Sequence, residues 1–238
     1  MLFFGLFLKI HAQQVVLDRH VDTSSAKRTF GPNRLFYSLP YFSLSAPVYP
    51  QDNGAELNWW SYSFAYGVRM KLKLAKWNAL VWDIEYRYDN FSIDQRQRKL
   101  LPVLPDPHDR ERIALHALGI SMCDRINFGR RGNVVGNWLD WGVYGDWIFK
   151  SSNVFVDKEK SSSFNYADSY RSKTRFTGLR YINTFNYYLM LRFGGNYAGF
   201  TFKYRMNRLV NHYAGYSGPD LPVFYAGIDV SVGDYWGK

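Results

Sequence analysis

Along much of the chain, apolar and polar side chains alternate one by one. Over residues 57–74 the even positions read Asn58, Trp60, Tyr62, Phe64, Tyr66, Val68, Met70, Leu72 and Leu74. The odd positions read Leu57, Trp59, Ser61, Ser63, Ala65, Gly67, Arg69, Lys71 and Lys73. A period of two is the signature of a strand whose faces meet different surroundings. The stretch is longer than a strand of a soluble sandwich, for which about 5–6 residues is usual. It has the length of a tilted strand crossing a membrane.

Seven further segments repeat the pattern: 35–44, 80–88, 112–128, 135–149, 179–193, 198–206 and 224–232. Pro40 limits the ladder in the first of these, and 112–128 mixes its faces, with His116 and Asp124 on the apolar side. The links alternate too. Residues 75–77, 129–134 and 194–195 are short, whereas 45–56, 90–111, 151–172 and 207–222 are long. Short periplasmic turns and long outer loops are the habit of outer-membrane barrels. The layout predicts an all-β fold, an eight-stranded antiparallel up-and-down transmembrane β-barrel over residues 35–238, after a periplasmic segment over 13–34.

Register gives a second criterion, because a slip of one residue inverts every side chain. Joining Leu74 to Asn78 sets Arg69 opposite Asp83. A two-residue turn at Gly194-Gly195, where glycine accepts positive φ, joins Phe193 to Asn196. That sets Tyr187 opposite Phe202 and Asn186 opposite Lys203, so like faces meet.

Composition changes the picture in three ways. No apolar run reaches the roughly 18 residues a helical span requires, yet 19% of residues are aromatic, as girdles of a barrel demand. Net charge is +10, which admits anionic headgroups or acidic partners. Nucleic acid is set aside because no binding motif accompanies the charge. Leu2 to Ile10, apolar but for Gly5 and Lys9, then His11-Ala12, predict a secretory signal segment over residues 1–12 and a mature start at Gln13.

Charge collects on the inward face: Arg69, Lys71, Asp83, Glu85, Arg87, Arg125, Asp140, Asp146, Arg180, Arg192, Lys203, Arg205 and Asp229. An eight-stranded barrel is just wide enough to be filled by side chains, and buried charges must pair. These residues therefore read as a structural ion-pair network plugging the lumen, with Arg69 near Asp83 or Glu85, rather than as a transport path. The histidines His11, His20, His108, His116 and His212 offer no i, i+4 pair, and Cys123 has no partner of metal-ligand spacing. No metal or cofactor is expected. Asp106, His108 and Asp109 form the best loop cluster for hydrolysis, against a plain turn rich in Pro and Asp. Gly129-Arg130-Arg131-Gly132-Asn133 is a basic turn able to meet phosphate groups.

The last strands carry a family pattern: Asn186-Tyr187-Tyr188-Leu189-Met190-Leu191-Arg192-Phe193, then Gly199 to Leu209, then Gly218-Pro219-Asp220-Leu221-Pro222, then Ala226-Gly227-Ile228. This stretch, roughly a quarter of the chain, resembles the C-terminal half of PorT-like outer-membrane β-barrel proteins. It departs from a standard assembly signal by ending Tyr235-Trp236-Gly237-Lys238 without a terminal Phe. The resemblance implies an outer-membrane barrel without catalytic residues, some members being linked to protein secretion. The function expected is non-enzymatic: a binding, assembly or secretion-accessory protein of the cell envelope, in contact with outer-membrane lipid and other envelope proteins. The alternatives are a barrel hydrolase using the Asp/His loop and a small pore.

Overall fold

The computed structural model describes residues 31–48, 57–93, 108–129, 132, 134–159, 170–211 and 220–232. The signal segment and nearly all of the 13–34 segment lie outside these residues, as do Asp106, Arg130 and Arg131. Among the described residues nine strands follow one another: β1 (Phe36–Val48), β2 (Tyr62–Lys73), β3 (Asn78–Ile93), β4 (Arg110–Phe128), β5 (Asn137–Glu159), β6 (Tyr170–Thr177), β7 (Phe185–Gly194), β8 (Ala198–Arg205) and β9 (Phe224–Ser231). All pairings are antiparallel, and there is no helix among the described residues.

Eight strands close a ring. Each of β1 to β4 pairs with the next, β4 pairs β5, β5 pairs β7, and β7, β8 and β9 lead back to β1. The ninth, β6, stands outside that circuit. Trp138–Trp147 of β5 pair with β7, whereas Ser152–Glu159 pair with β6. The β5–β6 hairpin thus projects past the ring's rim. Residues 151–159 and 170–172, expected as loop, belong to this extension. At its foot the chain turns at Gly178, whose φ of 71° is open to glycine. It then detours through 179–184 before entering β7, so the expected strand 179–193 starts only at Phe185. Likewise β2 starts at Tyr62 rather than at 57, because Trp59 and Trp60 occupy a turn.

The expected register holds at β2–β3, where Arg69 faces Asp83. At β7–β8 it moves: Phe193 faces Phe200, not Asn196, and the turn lengthens, with Gly195 N donating to Ala198 O at 2.9 Å. The shift is an even number of residues, so the facing survives. Tyr187, Leu189 and Leu191 are exposed while Asn186, Tyr188, Met190 and Arg192 are buried.

The ring is inside-out relative to a soluble protein. Its outer face exposes Phe42, Leu44, Val68, Ile84, Ile120, Trp141, Val143, Leu189 and Val230, among others. Its interior buries ions. Two apolar plugs close the ends. Tyr37, Leu39, Val135 and Trp138 cluster at the end with short links. At the other end, Ile113, Leu115, Tyr188, Ile182, Leu209, Val210 and Leu221 form a larger cluster. There the detour 179–184 and the segment after β8 bridge one another, Asn183 N donating to Leu209 O and Asn211 N to Tyr181 O.

Candidate functional site

Alternation along β2, β3, β5, β7, β8 and β9 aims one charged residue after another into the ring, where the strands bring opposite signs together. Across the β2–β3 ladder, Arg69 Nε lies 3.1 Å from Asp83 Oδ1. The same guanidinium spans to β9, with Nη2 2.8 Å from Asp229 Oδ2. Arg192, on the far side, meets both Asp83 and Asp140, the latter at 3.0 Å. Arg125 forks onto Asp140 at 2.6 and 2.8 Å, the bidentate geometry that makes arginine–carboxylate pairs strong. Arg125 also stacks 4.3 Å above Trp138, linking the network to the short-link plug. Lys71 donates to the carbonyl oxygen of Pro32.

A second layer lies above. Lys203 reaches across the ring to Glu85 at 2.9 Å, and Tyr41 donates its hydroxyl to the same carboxylate. Arg87 contacts Asp146 at 2.7 Å and Asp89 at 3.0 Å, and donates to the hydroxyls of Tyr144 and Tyr188. The void bounded by Tyr41, Glu85, Tyr144, Arg192 and Lys203 leaves no volume for a water molecule.

Of the predicted interior set, Arg69, Lys71, Asp83, Glu85, Arg87, Asp140, Arg192, Lys203, Arg205 and Asp229 are all buried, as are Arg125 and Asp146. Arg180 is a correction. It sits exposed in the turn after β6, because the chain detours there instead of running straight into β7. Lys150, which continued alternation past 149 would point inward, is exposed as well. The β4–β5 register slips between His116 and Ala117, a bulge that leaves both Phe149 and Lys150 exposed.

Three partners stand outside the predicted interior set. Asp89 and Glu111 join the buried acids. With them, the buried set among the described residues comprises seven basic side chains (Arg69, Lys71, Arg87, Arg125, Arg192, Lys203, Arg205) and seven acidic ones (Asp83, Glu85, Asp89, Glu111, Asp140, Asp146, Asp229). Seven minus seven is zero, so the whole net charge of +10 lies outside this set. The third is Asp220, in the Gly-Pro-Asp segment. Its carboxylate accepts from the backbone N of Leu209, Val210 and Leu221 at 3.1, 3.0 and 2.9 Å, and from Arg205 Nη2 at 2.7 Å. It latches the larger plug to the ring wall. Gly119 is a space-maker: a Cβ there would stand 2.1 Å from the Tyr144 hydroxyl, which crosses the interior towards Arg87.

Of the loop cluster, His108 and Asp109 lie among the described residues and Asp106 does not. His108 turns to Asp157 of β5, 2.9 Å away, and packs on Phe155. Asp109 lines a groove on the outer flank. His116 bonds the Tyr86 hydroxyl at 2.6 Å within a cluster of Tyr86, Tyr88 and Phe149. Among the described residues no group of three or more His, Cys, Asp or Glu side chains is placed to hold a metal ion. No protein-family model matches the chain, and no curated protein matches it.

Proposed function

We propose that the protein is an eight-stranded outer-membrane β-barrel of PorT-like type, acting as a non-enzymatic binding, assembly or secretion-accessory protein of the envelope. The observation that carries this reading is the pairing of an apolar outer face with a neutral, ion-paired interior closed at both ends. In water the arrangement is unfavourable, since it wets Leu, Ile, Val and Phe and buries ions. In lipid the outer residues meet hydrocarbon, and a closed ring leaves no unpaired backbone edge. The aromatic residues fit the two interfaces: Trp77 and Tyr197 at the short-link end, Trp59, Trp60 and Phe185 towards the other.

A plugged lumen argues against conduction, and the ion pairs consume the acids and bases that a catalytic interior would need free. Function then resides on outer surfaces, where binding and assembly proteins meet partners. The test is reconstitution of the full chain into phosphatidylcholine vesicles followed by planar-bilayer recording. A folded, protease-resistant, silent protein is expected. A steady large conductance would overturn the binding reading in favour of a pore, and failure to insert would overturn the membrane reading.

A further inference from the structure

We propose that the outer flank of β3 to β6, just beyond the apolar belt, is a binding site for a phosphorylated sugar headgroup of a membrane lipid. The proposal rests on the membrane reading above and goes further by giving one surface a ligand. A cavity of about 690 Å³ opens there. That lies within the roughly 300–1,000 Å³ of small-molecule sites and exceeds what a lone phosphate would fill.

The ladder builds the site. Ser92, Arg112, Val154 and Arg175 stand in one register row across four strands, and Val156 stands beside Arg110 and Lys173. Val154 and Val156 are buried and form the floor, while Arg110, Arg112, Lys173 and Arg175 are exposed around it. The stacked pair Trp59 and Trp60, with ring centroids 3.6 Å apart, makes the wall, and Asn58 and Asn90 complete the lining. Two acids also line it. Glu111 is buried and accepts from Asn153 at 3.0 Å, which leaves Asp109 as the exposed carboxylate among the described lining residues.

The chemistry follows from the residue types. Guanidinium groups bind phosphate oxygens in a fork, and basic pockets beside a membrane take lipid headgroups. Exposed indole faces at the interface offer apolar area with a polar edge, which suits a sugar ring. Cations that merely reached for water would need neither the cavity nor the tryptophan wall. Lys150, Tyr88 and His116 lie one row beyond Asn90, Ala114 and Ser152 towards the belt, which joins the site to lipid-covered surface.

The test uses the full chain folded into phosphatidylcholine vesicles carrying a minor fraction of diphosphoryl lipid A, dephosphorylated lipid A or phosphatidylglycerol. Lipid retained after gentle extraction is counted by native mass spectrometry. The parent should retain the diphosphoryl form over both others. Arg110→Ser/Arg112→Ser/Lys173→Ser should lower retention by at least about tenfold, and Trp59→Ala/Trp60→Ala should lower it too, both variants keeping the heat-shifted mobility of a folded protein. Equal retention by parent and variants, equal retention of phosphatidylglycerol, or displacement by soluble glucosamine phosphate at matching concentration would each overturn the site. A parent that inserts but shows no preference removes this proposal alone. A parent that enters none of the vesicles removes the membrane reading with it.

Discussion

The ring wall and the hairpin beyond its rim are built from the same chain in the same conformation, yet they obey different patterns. Along β7 every second residue is buried from Phe185 to Phe193, and β2 behaves alike from Tyr62 to Arg69. Past the bulge at Phe149–Lys150, residues 151–156 of β5 are all buried, and so are Ile113, Ala114 and Leu115 on β4 beside them. Alternation records a difference between two media, not the strand itself. Where the inner face meets the apolar plug and the outer face lies under side chains of the flank, both faces turn dry and the period vanishes.

The contrast is broken most forcefully from the inside. Asp83 serves Arg69 and Arg192 at once. Asp83→Ala should cost about 3–5 kcal/mol, the range for leaving a buried charge uncompensated. Adding Arg69→Ala restores the balance of charge and should recover part of the loss. Denaturant titration of vesicle-folded protein measures both, and a double variant weaker than the sum of two singles would show that packing, not charge, governs the interior. From the outside, Ile120→Arg and Leu189→Arg, both exposed on the belt, should cost about 2–4 kcal/mol near mid-membrane. Phe64→Arg should cost less, because its register row passes through His116 and Lys150 and so would fall near the interface of the proposed membrane span.

At the junction of the two regions stands Asp220. Removing its carboxylate by Asp220→Ala strips three backbone donors and Arg205 of an acceptor, an effect of about 1–3 kcal/mol. The loss should be local. Hydrogen exchange should rise at Leu209, Val210 and Leu221 while the amides of β2 and β3 keep their protection. Uniform loosening would mean that plug and wall form one cooperative unit.

What was legible in the sequence follows the same division. The facing of Arg69, Asp83, Glu85, Arg192, Lys203 and Asp229 was readable because each sits in an unbroken alternating run. Even the β7–β8 register, displaced by an even step, kept its facing. The bulge was unreadable, since Trp147 to Lys150 look like continued alternation and only the fit to β4 turns Lys150 outward. The ninth strand was hidden because Ser172 to Thr177 is exposed and, but for Phe176, polar, with no apolar face to mark it. Asp220 stood in view within Gly-Pro-Asp, but a latch to three backbone amides leaves no spacing signal. The groove was missed because its walls come from the 57–61 turn and from β3, β4, β5 and β6, joined only by pairing.

Arg180 carries the smallest expected effect and the sharpest distinction between wall and extension. Continuous alternation from 179 would point it inward beside Asn186 and Arg192, where truncation would unbalance the buried charges by one. Instead Gly178 turns the chain, Leu179 and Tyr181 pack on the plug, and Arg180 is left facing outward. An exposed side chain without a cap, core or network role changes stability by less than about 0.5 kcal/mol. Arg180→Ala should therefore be near neutral in the titration that registers a large loss for Arg192→Ala, whose guanidinium joins Asp83 to Asp140. If Arg180→Ala cost as much as Arg192→Ala, the detour 179–184 would have to be redrawn as ring wall, and the β5–β6 hairpin with it.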